Sequence, residues 1–216
     1  MQTTEPSLRE RRRARTWDSI HAAARELASE RGIRQTTAEL IAEKAGVSPR
    51  TFFNYFATKE DAVMGLRPPQ MTEDMLAQVQ EDESGGLLAQ AARLLASVLY
   101  DSFASDIKGI MNELTEDRDH MRQRMKIHML RCEQELKDFL LAMDWAVYQE
   151  SGRFVLREDE NSEPEPEQEE RIRAIVLMAT AVLRYVDYGA RASRDEFAAS
   201  INRTVTLFST MIKEPR

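Results

Sequence analysis

Five arginines near the start of the chain are the first residues whose type and spacing suggest a chemistry. Arg9, Arg11, Arg12, Arg13 and Arg15 fall within seven positions. Clustered guanidinium groups neutralise the phosphates of nucleic acids and release their counterions. The run therefore predicts an arm that binds a nucleic-acid backbone, and the alternative is a solvated, disordered terminus.

The distribution of charge confines this basic character to one end of the chain. The 216 residues carry a formal net charge of −7. Residues 1–67 hold 12 Lys and Arg against 9 Asp and Glu, a net of +3, and the remaining residues hold 18 against 28, a net of −10. Because the position of charge matters more than its total, a nucleic-acid partner is compatible with the acidic whole.

Residue types that carry catalysis or hold metals are poorly arranged. The histidines lack zinc-ligand spacing, the single cysteine has no base partner, and no glycine-rich phosphate loop occurs. These residues are His21, His120, His128 and Cys132. We therefore expect no enzyme, no metal and no cofactor. One cysteine and an apolar run too short for a bilayer, residues 174–182, predict a cytoplasmic protein without membrane contact.

The elements that must position the basic residues begin with two predicted helices. Apolar residues from Trp17 to Leu27 recur at helical spacing, and Gly32 can end that helix because it has no Cβ. A second helix is predicted at residues 36–45, with Thr36 or Thr37 as its cap.

A tight turn and an immediate helix restart follow. Ser48 can cap the next helix and Pro49 suits its first turn. This helix, predicted to end at Phe56, is short, and short helices rarely stand alone. We expect Val47, Phe52 and Phe56 to pack it on the first helix, with a further helix starting at Lys59 after a Thr58 cap. The pattern predicts a three-helix helix-turn-helix domain.

The rest of the chain predicts a second helical domain. Pro68 and Pro69 interrupt the pattern, which gives domains at 1–67 and 68–216. The eight acidic residues between Glu158 and Glu170 predict a solvated loop. We expect an all-α fold, with further amphipathic helices at roughly 71–82, 87–105, 107–116, 118–150, 167–192 and 195–213.

The run from Thr36 to Glu60, TTAELIAEKAGVSPRTFFNYFATKE, closely resembles the DNA-binding signature of the TetR family of transcriptional regulators. The resemblance covers about residues 10–66, and the remainder matches in helical layout only. It implies a sequence-specific DNA-binding homodimer, by family default a repressor released from a palindromic operator by a small ligand. The helix order of residues 68–216 loosely resembles regulators with an acyl-CoA-like or lipophilic ligand.

The resemblance also implies roles for individual side chains, since a recognition helix places its N-terminal residues in the major groove. Arg50 suits a guanine edge, and Asn54 suits adenine or a phosphate. Phe53 stands where the family commonly has a tyrosine, so it either contacts a thymine methyl or sugar, or simply packs. Lys59 and Thr37 are expected to hold phosphates. The DNA-binding candidates are Arg11, Arg12, Arg13, Thr37, Ser48, Pro49, Arg50, Thr51, Phe53, Asn54, Tyr55 and Lys59.

Dimerisation and ligand binding are both expected of the second domain. Apolar stripes run along the last two helices, through Ile172, Ile175, Val176, Ala179, Val182, Leu183 and Val186, and through Phe197, Ile201, Val205, Phe208 and Ile212. Either stripe can be monomer core, but the resemblance favours a four-helix bundle with a partner subunit. The candidate pocket residues, for which core packing is the alternative, are Phe103, Met111, Met125, Met129, Phe139, Met143, Tyr148, Met178 and Tyr185.

A helical interaction protein or adaptor, without an operator of its own, is the alternative function. It would use the helical bundle but would leave the arginine run and the helix-turn-helix without a role. The salt dependence of DNA binding separates the two classes, because an adaptor should show none.

Overall fold

The computed structural model describes residues 7–81, 86–103, 118–158, 165–186 and 194–213. Regular structure in these ranges is helical, apart from an isolated antiparallel bridge between Met143 and Leu156. The predicted all-α fold is confirmed. In chain order the described helices are α1 Leu8–Arg31, α2 Ala38–Lys44, α3 Pro49–Phe53, α4 Lys59–Met64, α5 Glu73–Glu81, α6 Gly86–Asp101, α7 Arg118–Ala142, α8 Trp145–Ser151, α9 Pro166–Tyr185 and α10 Arg194–Lys213.

The chain divides into two compact units. The first consists of Met1–Pro68 with Ser102–Ile127, and the second of Pro69–Asp101 with His128–Arg216. Helix α7 therefore begins in the first unit and continues in the second. None of the helices in the described ranges is long and apolar enough to cross a membrane.

In the first unit, α1 and α4 pack together, and α2 lies against both α1 and α3. Ile20 of α1, Ile41 of α2 and Phe52 of α3 are completely buried. The turn from α2 to α3 is closed by the Val47 amide, which donates to the Ala42 carbonyl at 2.9 Å. Gly46 in this turn has φ +68°, a conformation that a Cβ would strain. The predicted helix-turn-helix is confirmed.

Each short helix of this unit starts with a hydroxyl cap. Thr37 accepts from the Leu40 amide, Ser48 from the Thr51 amide and Thr58 from the Asp61 amide, at 3.0–3.3 Å. Of the two caps left open for α2, the structure selects Thr37. The neighbouring Thr36 is buried and donates its hydroxyl to the Gly32 carbonyl at 3.0 Å, so it fixes the turn instead.

Several predicted boundaries were wrong. Helix α1 begins at Leu8, well before the predicted start at Trp17, and α3 ends at Phe53. The single helix predicted at 118–150 is broken before Trp145, because Asp144 caps α8 by accepting the Ala146 and Val147 amides. The helix predicted at 107–116 lies outside the described residues.

The acidic loop prediction was wrong at its C-terminal end. Pro166 opens α9, and Glu167 and Glu169 occupy its first turn. Carboxylates are favourable there because the N-terminal end of a helix carries a partial positive charge. Residues 159–164 lie outside the described part of the chain.

The core of the second unit forms around α6, which packs against α5, α9 and α10. All seven residues of the stripe predicted along α9 are buried in this single chain. On α10, Phe197, Ile201 and Val205 are buried as well, whereas Ile212 is 75% exposed. Monomer core, one of the two alternatives, therefore accounts for the α9 stripe and for the first half of the α10 stripe.

Candidate nucleic-acid interface

Helix α3 presents a polar outer face and an apolar inner face. Ser48, Pro49, Arg50 and Asn54 are exposed, with Thr51 and Tyr55 half-buried. On the inner side Phe52 and Phe56 are buried, and their ring centroids lie 6.1 Å apart. Since the inner residues anchor the helix, the side chains predicted to contact DNA are free of core packing and share one rigid surface.

Two hydroxyl groups at the start of α3 are already engaged with each other. Ser48 Oγ accepts the Thr51 amide at 3.0 Å and lies 2.8 Å from Thr51 Oγ1. Each hydroxyl keeps hydrogen-bonding capacity beyond these bonds, because a hydroxyl has one donor and two acceptor positions. These side chains are thus held in place and still able to meet a phosphate or a base edge.

The Phe53 ring is solvent-exposed despite its aromatic contact. It meets Phe52 edge-on, with ring centroids 5.2 Å apart, yet 55% of Phe53 remains accessible. Phe53 thus packs against Phe52 through one edge only, and the alternative that it simply packs leaves more than half of the residue exposed. An exposed aromatic ring beside Arg50 provides an apolar surface of the kind that contacts a thymine methyl or a sugar.

The side chain of Lys59 points its charge at the protein. Its Nζ donates to the main-chain carbonyls of Ile33 and Thr36, each at 2.7 Å. Those carbonyls belong to the turn between α1 and α2, so Lys59 ties α4 to that turn. This structural role was missed because its partners lie more than 20 positions away, and it leaves the phosphate-holding role of the ammonium group without geometric support.

The arginine run forms the first two turns of α1 and is therefore helical. Ser7 caps this helix and Glu10 completes a capping box. Arg9, Arg12, Arg13 and Thr16 line an open cleft of about 800 Å³ together with Leu8, Asn54 and Tyr55. Arg11, a predicted DNA-binding residue, is exposed but does not line this cleft. Arg9, a member of the predicted arginine arm, lines the cleft, and so does Thr16, which was not predicted.

An aromatic cluster fixes α1 against the helix-turn-helix. Trp17 packs its ring 5.4 Å from that of Phe56, and the Arg67 guanidinium lies 4.2 Å from the Trp17 ring centroid. His21 donates Nδ1–H to the Ala62 carbonyl at 2.7 Å, since a carbonyl can only accept. Partial burial of His21 lowers its pKa below 6.5, so the neutral imidazole is favoured in the folded chain.

An ion pair and a hydrogen bond attach the start of α7 to α4 within the first unit. Arg124 binds Asp61 bidentately, with Nη2 2.6 Å from Oδ2 and Nε 3.2 Å from Oδ1. Both side chains are largely buried. His120 Nε2 lies 3.2 Å from a carboxylate oxygen of Glu60. These pairs join residues about 60 positions apart, and no local sequence pattern indicated them.

The candidate pocket residues are divided between the two compact units. Phe103 and Met125 belong to the first unit, Met111 lies outside the described residues, and the others belong to the second unit. Phe139 and Met143 are buried and Met129 is half-buried, but Met178 and Tyr185 are 37% and 61% exposed. Such exposure does not fit residues that line an internal cavity of a single chain.

Tyr148, the polar member of that set, is already engaged in the second unit. Its hydroxyl donates to Gln90 Oε1 at 2.6 Å, and its ring stacks on Phe154. Burial raises the pKa of Tyr148, against a smaller opposing effect of the Arg171 charge. The hydroxyl therefore acts as a neutral donor that joins α8 to α6.

Comparison with known proteins finds a match over the helix-turn-helix. The family described as bacterial regulatory proteins, tetR family, matches residues 20–63. The HTH-type transcriptional regulator TcmR of Streptomyces glaucescens is 46% identical over 59 residues, which are 27% of this chain and 26% of TcmR. The chain thus matches about a quarter of the length of that curated relative.

Solved structures that align with most of the chain have lower sequence identity. Thermus thermophilus FadR, described as a TetR-family repressor in complex with lauroyl-CoA, is 22% identical, with a TM-score of 0.39 and coverage of 93% of this chain and 96% of that one. FadR from Bacillus halodurans is 19% identical, with a TM-score of 0.39 and coverage of 93% and 97%. With TM-scores of 0.39, these two structures carry no argument about what this chain binds.

Proposed function

Given that residues 20–63 form a DNA-binding domain of the bacterial TetR family, we propose that this protein is a sequence-specific transcriptional regulator. The observation that carries the proposal is the outer face of α3. Arg50, Phe53 and Asn54 are exposed there on a helix whose opposite face is anchored by buried phenylalanines. A helix of this kind enters the major groove, where bidentate Arg contacts distinguish guanine from the other bases.

Some of the candidate residues contact bases and others contact the DNA backbone. Arg50 at the start of α3 reads a guanine edge, Phe53 contacts a thymine methyl or sugar, and Ser48 and Thr51 bind phosphate. Thr37 and Lys59 act indirectly, because the Thr37 hydroxyl caps α2 and the Lys59 ammonium binds two carbonyls. The same proposal includes a domain boundary after Arg67. Residues 1–67 form the DNA-binding domain, and residues 68–216 form the effector and dimerisation domain.

The protein is proposed to act as a homodimer through α9 and α10. Beside the buried stripes, these helices expose a second set of apolar side chains: Leu177, Met178, Tyr185, Leu207, Met211 and Ile212. The Tyr185 and Phe208 rings meet edge-on at 5.7 Å, which links the exposed sides of the two helices. A paired apolar surface of this kind suits a self-complementary interface, and a two-fold protein binds a palindromic operator.

Repression is proposed as the mode of action, with release from the operator by a small lipophilic ligand. Such a ligand acts by binding one conformer better than another, so operator affinity falls by the coupling free energy, typically about 1–3 kcal/mol. Two soft apolar side chains of α7, Met129 and Phe139, and Met143 directly after this helix support an adaptable ligand surface in the second unit.

Selection of bound sequences from a random DNA pool, using the full chain, tests the function. We expect a palindromic site, and we expect the Arg50→Ala, Tyr55→Ala double variant to lose binding to it. Arg153→Ala is the matched control, because it removes one exposed positive charge from the second unit and leaves α3 untouched. Absence of any enriched site from folded protein at low salt would contradict the proposal and favour the helical adaptor.

A further inference from the structure

The first two turns of α1 present two different arginine faces. Arg9, Arg12, Arg13 and Thr16 follow one another at spacings of three, one and three residues, which places them on the same side of a helix. These four side chains line the cleft next to α3, whereas Arg11 and Arg15 do not. The run is therefore not uniform, because its helical conformation separates a cleft-facing set from an outer set.

A capping box holds this helical conformation. Ser7 Oγ accepts the Glu10 amide at 3.2 Å, and Glu10 Oε2 accepts the Ser7 amide at 2.7 Å. The bonds to Ser7 lower the pKa of Glu10, which keeps its carboxylate charged and bound at the helix end. Glu10, the acidic residue within the arginine run, does not line the cleft.

The opposite wall of the cleft belongs to the end of the recognition helix. Asn54 caps the C-terminal end of α3, and Tyr55 follows it. The cleft is open to solvent, with three guanidinium groups and no carboxylate among its lining side chains. A nucleic-acid strand that lies along the outer face of α3 would therefore also contact this cleft, which adjoins the residues proposed to read bases.

We propose that the cleft holds the sugar–phosphate backbone of one operator strand, with Arg9, Arg12 and Arg13 on its phosphates and Asn54 and Tyr55 against the same backbone. The inference rests on the proposed DNA-binding function and deepens it. It keeps Arg9, Arg12 and Arg13 of the predicted arm in direct contact, removes Arg11 and Arg15 from direct contact, and assigns Asn54 to a phosphate and not to adenine.

The test compares Arg12→Gln with Arg15→Gln, two exposed arginines three residues apart that differ in whether they line the cleft. Operator affinity is measured for the full-length protein across a range of salt concentrations. Loss of one phosphate contact reduces the slope of log affinity against log salt by about 0.9, so a substitution present in both subunits of the proposed homodimer reduces it by about 1.8. We expect that reduction for Arg12→Gln, and likewise for Arg9→Gln and Arg13→Gln, with the wild-type slope for Arg15→Gln and Arg11→Gln.

Equal slope losses for Arg12→Gln and Arg15→Gln would overturn the inference, since they would indicate a diffuse basic surface. Unchanged slopes for all the cleft variants would overturn it too. Both results leave the proposed function intact as long as the wild-type protein binds its operator with a salt-dependent affinity. A wild-type protein without such binding would contradict the proposed function itself.

A second comparison tests the role of Asn54. Affinities of Asn54→Ala and Arg50→Ala are measured for the operator and for operators with single base changes. We expect Asn54→Ala to weaken binding to all of these sequences by a similar factor, as loss of a backbone contact does, and Arg50→Ala to relax the preference at one position. A loss of preference for adenine at one position in Asn54→Ala would overturn the assignment.

Discussion

Helices α2, α3 and α4 of the first unit have seven, five and six residues, whereas α6, α9 and α10 of the second have 16, 20 and 20. Short helices do not form alone, because nucleation costs more than their few hydrogen bonds return. Each short helix accordingly has a hydroxyl cap, and α4 has in addition the Lys59 and Asp61 bonds to distant residues. Helix α9 lacks a side-chain cap and relies on its buried stripe.

The difference indicates two ways of specifying structure. The first unit depends on a few directional polar bonds, so single polar substitutions should destabilise it. The second unit depends on apolar area spread over long helices, so its exposed positions should tolerate change unless a partner covers them. Substitutions in each unit test this contrast.

The largest effect is expected at the pair of Asp61 and Arg124. Asp61→Asn leaves the largely buried guanidinium without its counter-charge, which costs about 3–5 kcal/mol of unfolding free energy. Urea denaturation measures the loss, and the Asp61→Leu, Arg124→Leu double variant should lose less than the sum of the single variants. A loss below about 1 kcal/mol for Asp61→Asn would place the pair among ordinary surface ion pairs.

Lys59→Met should have the next largest effect, because it removes two charge-assisted bonds and leaves the Ile33 and Thr36 carbonyls without this donor. We expect a loss of about 2 kcal/mol in the free energy of unfolding. Lys137→Met in the second unit serves as the matched control. If Lys59→Met instead keeps wild-type stability and reduces the salt slope of DNA binding, the lysine holds a phosphate as the sequence predicted.

In the second unit, Leu177→Glu should break the dimer without unfolding the chain. The substitution places a charge in the proposed interface, and we expect dimerisation to weaken at least about tenfold, or about 1.4 kcal/mol. Sedimentation across a dilution series measures it. Leu130→Glu on α7 is the matched control, because Leu130 and Leu177 are both 61% exposed. Equal sedimentation of the two variants would place the interface elsewhere.

The smallest effect is expected from His21. Its folded-state pKa lies below 6.5, so the unfolded chain binds a proton first as pH falls. The stability that neutral His21 contributes is therefore fully present above pH 6.5 and is lost as the pH falls through the folded-state pKa. Between pH 8 and 5, His21→Gln should lose less unfolding free energy than the wild type. If the unfolding free energies of His21→Gln and the wild type change in parallel with pH, groups other than His21 cause the loss of stability in acid.

Much of the fold was predictable from local pattern. The capping positions at Ser48 and Thr58, the breaks at Gly32 and Gly46 and the anchor residues Phe52 and Phe56 all depend on neighbours within about four positions. The predicted start of α1 was wrong because two local features of the sequence favoured different structures there. The arginine run was predicted to be a phosphate-binding arm or a disordered terminus, but the Ser7 and Glu10 capping box, which the sequence contains, extends α1 back to Leu8.

Local sequence pattern was enough to establish that the chain is helical, that it has a helix-turn-helix, and which side chains α3 exposes, because helical periodicity and capping are interactions between near neighbours. Three-dimensional packing was needed to show which arginines face α3, what Lys59 binds, that Arg124 meets Asp61, and which stripe of α9 is core. These outcomes depend on the approach of segments more than 20 positions apart, and periodicity reveals that a face is apolar without revealing what covers it.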